Sequence, residues 1–160
     1  YPEVLFGFKL VRRAYMEKER SRALKYNYKS PICKDKLTTD KNFDTAIDFV
    51  FKNLNQINFI CGSHNELSTL KILDLMSYYN IDVNDDRVWF GQLFGMSDNI
   101  SFNLAKSSYN VFKILPFGPV KNLIPYLIRR AQENSSVKGQ SGRELNLIQK
   151  EIKRRKLKKS

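Results

Sequence analysis

The residues best suited to chemistry lie in three short stretches, "KLVRRAY" at 9–15, "CGSHNE" at 61–66 and "RRAQEN" at 129–134. Clustered lysine and arginine side chains can hold a phosphate or a carboxylate. His64, the single histidine of the chain, could contact a cofactor or act as a base. Composition alone leaves a charged loop and an ordinary polar contact as open alternatives.

The third stretch lies on a segment with helical spacing of its apolar residues. One arc is formed by Leu123, Ile124, Leu127, Ile128 and Ala131. Arg129 and Glu133 are four residues apart, so a surface ion pair of about 0.3–0.5 kcal/mol is the simplest interpretation. Arg129 and Arg130 could instead form a planar fork around a carboxylate. Periodicity alone favours the ion pair.

Several other chemistries have little support. Cys33 and Cys61 have no CxxC partner, so neither a metal site nor a redox motif is indicated, and a reducing compartment is the simplest fit. A single histidine excludes a multi-histidine metal site. There is no GxGxxG and no P-loop, and no partner signature for a nucleophile. We therefore expect no metal.

The charge of the chain is unevenly distributed. The net charge is +12, which at first suggests nucleic acid. Residues 138–160 hold nine Lys/Arg against two acids, a net +7 that leaves +5 for the rest. A solvated basic end is the simplest explanation of this tail, followed by contact with anionic lipid or a partner protein. Nucleic acid is not expected.

Short apolar runs alternate with amphipathic segments along the chain. The predicted strands are 6–11, 57–61, 88–93 and 110–115, and the predicted helices are 14–26, 42–54, 63–79, 99–106, 119–134 and 143–156. A polar loop is predicted at 30–41, Ser63 as a helix N-cap and Asp98 as another. Such alternation predicts a parallel α/β sheet, either half of a (β/α)8 barrel or a flavodoxin-like open sheet. In both folds ligands gather at the carboxyl ends of the strands.

The chain has 160 residues, which is enough for one domain with a core. No apolar run approaches the roughly 20 residues of a membrane span. No signal peptide opens the chain, which begins with Tyr1 rather than Met. We therefore expect a fragment that lacks an N-terminal part.

Taken together, five collinear segments resemble proline dehydrogenase. They are "FGFKLVRRAYMEKER", "SHNE", "FGQLFGMSDNISFNLA", "YNVFKILPFGPVKNLIPYLIRRAQEN" and "GRELNLI" with the basic residues that follow. The resemblance implies a distorted (β/α)8 barrel that binds FAD, oxidises L-proline to Δ1-pyrroline-5-carboxylate and passes electrons to a membrane quinone. Residues 1–135 would be the C-terminal half of the barrel, about strands five to eight. Residues 136–160 would be a linker and a basic C-terminal helix.

The resemblance also assigns roles to individual residues. Arg129 and Arg130 would hold the proline carboxylate, and Glu133 would lie beside them on the flavin side. Lys9 would stand near the flavin N5, where a cation stabilises the reduced flavin. Tyr15 and Ile114 would line the substrate pocket. The FAD contacts would come from the loop after the first strand (Val11, Arg12, Arg13, Ala14) and from the next strand end (Ser63, His64, Asn65).

Three positions depart from the family pattern. Arg13 stands where the family usually has glycine, Ile114 where it has a tyrosine, and Ser63 where it has threonine. Earlier family strands supply a substrate lysine, an aspartate and further flavin contacts. We therefore expect that this polypeptide alone neither binds FAD stoichiometrically nor oxidises proline, and a binding or regulatory half-barrel without turnover is the alternative. The compartment would be the bacterial cytoplasm or the mitochondrial matrix, with peripheral contact to the inner membrane.

Overall fold

The computed structural model describes residues 4–12, 15–135 and 140–157. The strands are β1 (Phe6–Val11), β2 (Ile57–Gly62), β3 (Val88–Leu93) and β4 (Val111–Ile114). The helices are α1 (Met16–Tyr26), α2 (Lys36–Lys52), α3 (Glu66–Tyr78), α4 (Asp98–Lys106), α5 (Val120–Ser135) and α6 (Gln140–Leu157). The alternation of strands and helices predicted from the sequence is confirmed.

The four strands form one parallel sheet in the order β1-β2-β3-β4. Phe8 is paired with Phe59, Phe59 with Val88, and Phe90 with Val111. Among the described strands the order follows the chain and does not reverse, whereas a doubly wound sheet reverses at its ligand crevice. All four carboxyl ends therefore lie along one edge of the sheet.

The core lies on one face of this sheet. Alternate residues of β2 and β3, including Phe59, Cys61 and Phe90, are almost completely buried. They form a single cluster with apolar residues of α2, α3 and α4, including Ile47 and Ile72. Because side chains alternate along a strand, the intervening residues of β1–β4 share the opposite face. That second face is less buried and carries Lys9 and Val11.

The starts of α2 and α3 differ from the sequence-based prediction in their capping residues, and the loop predicted at 30–41 is wrong for residues 36–41, which are helical. α2 begins at Lys36, six residues before the predicted start, because the Asp35 carboxylate accepts a hydrogen bond from the Thr38 N–H at 2.7 Å. That hydrogen bond lowers the pKa of Asp35. α3 is capped by Asn65, not by Ser63, and the Asn65 side chain accepts from the Ser68 N–H at 3.0 Å.

The chain divides into two compact units, 1–114 and 115–160. The first contains the sheet with α1–α4, and the second contains α5 and α6, which contact each other. The sequence predicted a different kind of division, between a barrel segment at 1–135 and a basic tail at 136–160. That division stays a prediction. Within the described residues, no helix combines the length and apolarity that crossing a membrane requires.

Candidate functional site

Two glycines shape the less buried face of the sheet. A Cβ added at Gly62 would lie 2.7 Å from Val11 Cγ1 and 3.4 Å from Lys9 Cγ. A Cβ at Gly91 would lie 2.7 Å from Phe112 Cζ. These distances show that Lys9, Val11 and Gly62 share a face, and the register continues that row to Gly91 and Phe112. Glycine within a strand marks a place of close approach. Here the side chains of Val11 and Lys9 lie over Gly62, and the Phe112 ring lies over Gly91.

Lys9 and Val11, two of the predicted site residues, therefore stand together at the carboxyl end of β1. Lys9 is exposed, as expected for a cation that is available to a ligand. Ile114 ends β4, is half-buried, and its carbonyl accepts from the Phe94 N–H at 2.9 Å. Leu93 and Ile114 are paired across β3 and β4. The predicted pocket residue Ile114 thus lies at the same carboxyl edge as Lys9.

Arg12 is held by a dense set of contacts on the helix side. Its guanidinium pairs with Asp40 at 3.1 Å and Asp44 at 3.5 Å, and it stacks on the Phe43 ring at 4.0 Å. It also donates to Ser63 Oγ at 3.0 Å and to Ser68 Oγ. The side chain ties the end of β1 to α2, to α3 and to the loop after β2. A cofactor contact from Arg12, which the sequence predicted, would therefore have to come from its backbone.

The loop after β2 is held from several directions. Ser63 is buried, and its hydroxyl also accepts from the Asn65 N–H at 3.2 Å. The Ser63 carbonyl accepts from Gln92 Nε2 at 3.4 Å, and Gln92 Oε1 accepts from Ser101 Oγ at 2.9 Å. Asn65 is occupied by its cap on α3. The predicted stretch Ser63, His64 and Asn65 is thus fixed in place at the edge of the sheet.

His64 reaches across to the loop after β3. Its Nδ1 lies 2.9 Å from Ser97 Oγ. Burial lowers the pKa of His64, and the nearby Lys113 ammonium lowers it further. Lys113 itself donates to the Met96 carbonyl at 2.6 Å and pairs with Asp98 at 2.8 Å. The imidazole is therefore neutral at pH 7.

Ser97 adopts an unusual conformation for a serine. It is the N-cap residue of α4 and is buried, but its φ is 52° and its side chain does not cap the helix. Asp98, the predicted cap, is the first residue of α4 and pairs with Lys113. A missing cap costs about 1 kcal/mol and the left-handed region about 1–2 kcal/mol. Contacts around Ser97 must offset this cost.

Sequence reasoning missed Gln92, Ser97 and Lys113. Gln92 offered a signal, because a lone amide in the apolar run "VWFGQL" must find partners when it is buried. Ser97 and Lys113 had no such signal, since their partners come from other loops. These three residues join the ends of β2, β3 and β4 into one polar network.

Tyr15, Arg13 and Ala14 were also predicted to belong to the site. Tyr15 precedes α1 with a φ of 54°, and its side chain is 78% exposed. Lys18 Nζ lies 5.9 Å from the centre of its ring. Arg13 and Ala14 lie outside the described residues. The role of each of these in cofactor or substrate binding stays a prediction.

The arginine pair belongs to the second unit. Arg129 is exposed and Arg130 is half-buried, and the Arg130 guanidinium lies 5.3 Å from the centre of the Tyr126 ring, one turn earlier on α5. Glu133 lies in the last part of α5, and its side chain is outside the described part of the chain. The Arg129–Glu133 ion pair therefore stays a prediction.

These features define a parallel α/β domain in which Lys9, the Ser63–Asn65 loop and a neutral His64 lie at the carboxyl edge of the sheet. The chain belongs to the proline dehydrogenase family, since a sequence profile described as "Proline dehydrogenase" matches residues 3–143.

Individual relatives agree with this assignment. The chain is 43% identical over 154 residues to a hydroxyproline dehydrogenase of Xenopus laevis, covering 94% of this chain and 33% of the relative. It is 42% identical over 154 residues to the mitochondrial proline dehydrogenase 1 of Dictyostelium discoideum, covering 93% of this chain and 27% of the relative. The chain thus spans a third or less of the length of these relatives.

A solved structure shows the same fold. It is proline utilization A (PutA) from Bdellovibrio bacteriovorus, inactivated by N-propargylglycine, with a TM-score of 0.75 and 24% identity. The match covers 85% of this chain and 14% of that one. At this identity the likeness concerns the fold alone.

Proposed function

We propose that this chain supplies part of the catalytic domain of an FAD-dependent enzyme that oxidises L-proline to Δ1-pyrroline-5-carboxylate. The observation that carries the proposal is the exposed Lys9 near the carboxyl end of β1, beside the fixed Ser63–Asn65 loop, in a chain of the proline dehydrogenase family. An exposed cation beside a fixed polar loop suits an electron-accepting ring that gains negative charge.

The chain would form strands five to eight of a (β/α)8 barrel. Support comes from the parallel order β1-β2-β3-β4, which follows the chain as consecutive barrel strands do. The C-terminal (β/α) units of such a barrel place their strand ends at one shared ligand face. The remaining strands would come from the part of the relatives that this chain does not match.

The described residues fit a flavin. Lys9 is exposed near the carboxyl end of β1 and would stabilise negative charge that develops on the ring. When bound, FAD supplies the hydride-accepting ring, and its reoxidation would pass electrons to a quinone. Ser63, His64 and Asn65 would position the cofactor through the polar loop after β2. Arg13 would stand where close approach of the backbone to the cofactor is needed.

Substrate binding would come from α5 and the pocket residues. Arg129 and Arg130 would grip the proline carboxylate with paired guanidiniums and orient the ring, with Glu133 on the same helix beside them. Packing of Arg130 on Tyr126 supports this, because it holds the guanidinium before substrate arrives. Tyr15 and Ile114 would line the pocket, and Ile114 would pack on the substrate ring without offering a hydroxyl.

A quinone acceptor would place the reaction beside a membrane. Mitochondrial relatives support a matrix location peripheral to the inner membrane. α6 is the proposed lipid contact, because it combines exposed apolar residues (Leu145, Ile148, Ile152) with Lys150 and the cluster 153–156. Flotation of the chain on anionic liposomes tests this contact. Equal flotation after removal of residues 143–160 would contradict it.

A half-barrel that binds without turnover is the second candidate. The chain spans a third or less of these relatives, and Arg13 and Ile114 depart from the family pattern. Under this reading the chain would hold a ligand or a partner but would not reduce a flavin.

A segment exchange separates the two candidates. The matching segment of the Xenopus laevis relative is replaced by this chain, and flavin content and dye reduction are measured with L-proline and with 4-hydroxyproline. We expect stoichiometric flavin and substrate-dependent dye reduction in the exchanged protein, and neither in the isolated chain. An exchanged protein that retains flavin but shows no turnover with either substrate would contradict the enzyme and support the second candidate. If the isolated chain shows a flavin spectrum and proline-dependent dye reduction, the expectation that it requires the rest of the barrel is wrong.

A further inference from the structure

The Ser97 hydroxyl contacts the His64 ring and does not cap α4, the helix that Ser97 precedes. A serine at an N-cap usually accepts a hydrogen bond from the second or third N–H of the helix. At φ 52° Ser97 forms no such side-chain cap, and its Oγ lies 2.9 Å from His64 Nδ1. The residue is 5% exposed, so the contact is shielded from water. The backbone conformation thus aims a buried hydroxyl at the ring.

The charges around His64 keep a second proton off its ring. Lys113 approaches from β4 and lies close enough to disfavour the imidazolium. Asp98 from α4 pairs with Lys113, and Glu66 from α3 accepts from the Asn99 side chain at 2.8 Å, so both carboxylates are engaged elsewhere. A neutral imidazole has one donor and one acceptor nitrogen, and the partner of one nitrogen decides the state of the other.

We propose that Ser97 is a positioning residue for His64: its hydroxyl donates to Nδ1 and fixes the tautomer that carries the proton on Nε2. The Nε2–H is then a hydrogen-bond donor toward the ligand. His64 Nε2 makes no hydrogen bond to any of the residues that the structure describes. This assignment rests on the proposed function in one respect, because FAD offers carbonyl and phosphate oxygens, which accept hydrogen bonds.

Because His64 is the single histidine of the chain, its ring nitrogens can be followed without assignment. The experiment is nitrogen-15 NMR of the ring across a pH titration of the 160-residue chain without cofactor. The variant is Ser97→Gly, which removes the hydroxyl and accepts the left-handed backbone. Ser107→Ala is the control, since it removes a serine hydroxyl at the other end of α4 from Ser97.

In the unaltered chain we expect a proton on Nε2 and none on Nδ1. Ser97→Gly should populate both tautomers and raise the pKa of His64, because the hydroxyl that stabilises the neutral ring is gone. Ser107→Ala should leave both the tautomer and the pKa of His64 unchanged.

A proton on Nδ1 in the unaltered chain would overturn the proposal, and so would a Ser97→Gly ring with an unchanged tautomer or a lower pKa. If Ser97→Gly fails to fold, the tautomer of the unaltered chain still decides. The readout needs neither flavin nor turnover, so a failure of the proposed function leaves its result intact.

Discussion

At the scale of single residues, Arg12 shows how a predicted ligand contact can be a structural one. Its guanidinium is shared among two carboxylates, two hydroxyls and an aromatic ring, and the side chain is 15% exposed. An arginine so placed holds Ser63, which the family pattern assigns to the cofactor. Its effect on ligand binding would therefore pass through the loop after β2.

Arg12→Met should destabilise the first unit by roughly 2–4 kcal/mol, because Asp40 and Asp44 would lose a shielded cation. Urea unfolding followed by circular dichroism measures the change. Lys36→Met is the matched control, since Lys36 pairs with the same Asp40 from an exposed position and should cost about 0–1 kcal/mol. Equal losses in the two variants would show that burial of the Arg12 contacts adds nothing.

The neutral state of His64 predicts a dependence of stability on pH. Its pKa in the folded chain is lowered from 6.5 by burial and by Lys113. Between the folded pKa and 6.5 the unfolded chain therefore binds more protons, and stability falls as pH falls through this window. Unfolding free energies at pH 7.5 and pH 5 should differ more for the unaltered chain than for His64→Gln. Identical differences in both proteins would show that His64 does not contribute.

At the scale of elements, the strands were easier to predict than the helix starts or the polar network. β1 and β3 were predicted with their observed bounds, because short apolar runs bounded by polar turns are a local signal. The start of α2 was missed because the capping aspartate, Asp35, lies within a stretch of polar residues. The link between His64 and Ser97 joins residues 33 positions apart, and no periodicity encodes such a pair.

Gly62 tests the close packing between β1 and β2. Gly62→Ala should cost about 1–3 kcal/mol, because the new Cβ would meet Val11 Cγ1 at 2.7 Å and the Leu10 carbonyl at 3.3 Å. Combining it with Val11→Ala should recover part of the loss, which a double-mutant cycle of unfolding free energies measures. Gly7→Ala is the control in the neighbouring strand, since nothing lies within 4 Å of its added Cβ. Additive effects of the Gly62 and Val11 changes would contradict the proposed contact.

At the scale of the whole molecule, the parallel order of the strands agrees with the family assignment. The chain spans a third or less of the length of the relatives described above. The sequence alone predicted a parallel α/β sheet but left an open flavodoxin-like sheet and a barrel segment both standing. The family is now shown, but the roles that the resemblance implies for Arg129, Arg130 and Glu133 stay predictions, because they depend on a ligand. The half-barrel and the flavin site remain our proposals.

Substrate orientation by the arginine pair can be tested in the segment-exchanged protein. Replacing both Arg129 and Arg130 by lysine should lower kcat/KM at least about 100-fold, because ammonium groups cannot form the paired planar contacts of guanidinium. Steady-state dye reduction measures this loss. Lys153→Met on α6 is the control and should leave kcat/KM unchanged. A double-lysine variant with normal kcat/KM would remove the carboxylate role from the pair.

The most direct test of the central claim is an anaerobic titration of the segment-exchanged protein with L-proline, followed by flavin absorbance. We predict that proline bleaches the oxidised flavin band in proportion to the flavin bound, and that the product is Δ1-pyrroline-5-carboxylate. A protein that holds flavin in full amount but shows no bleaching with proline or 4-hydroxyproline would contradict the claim that this chain supplies one side of a proline-oxidising flavin site.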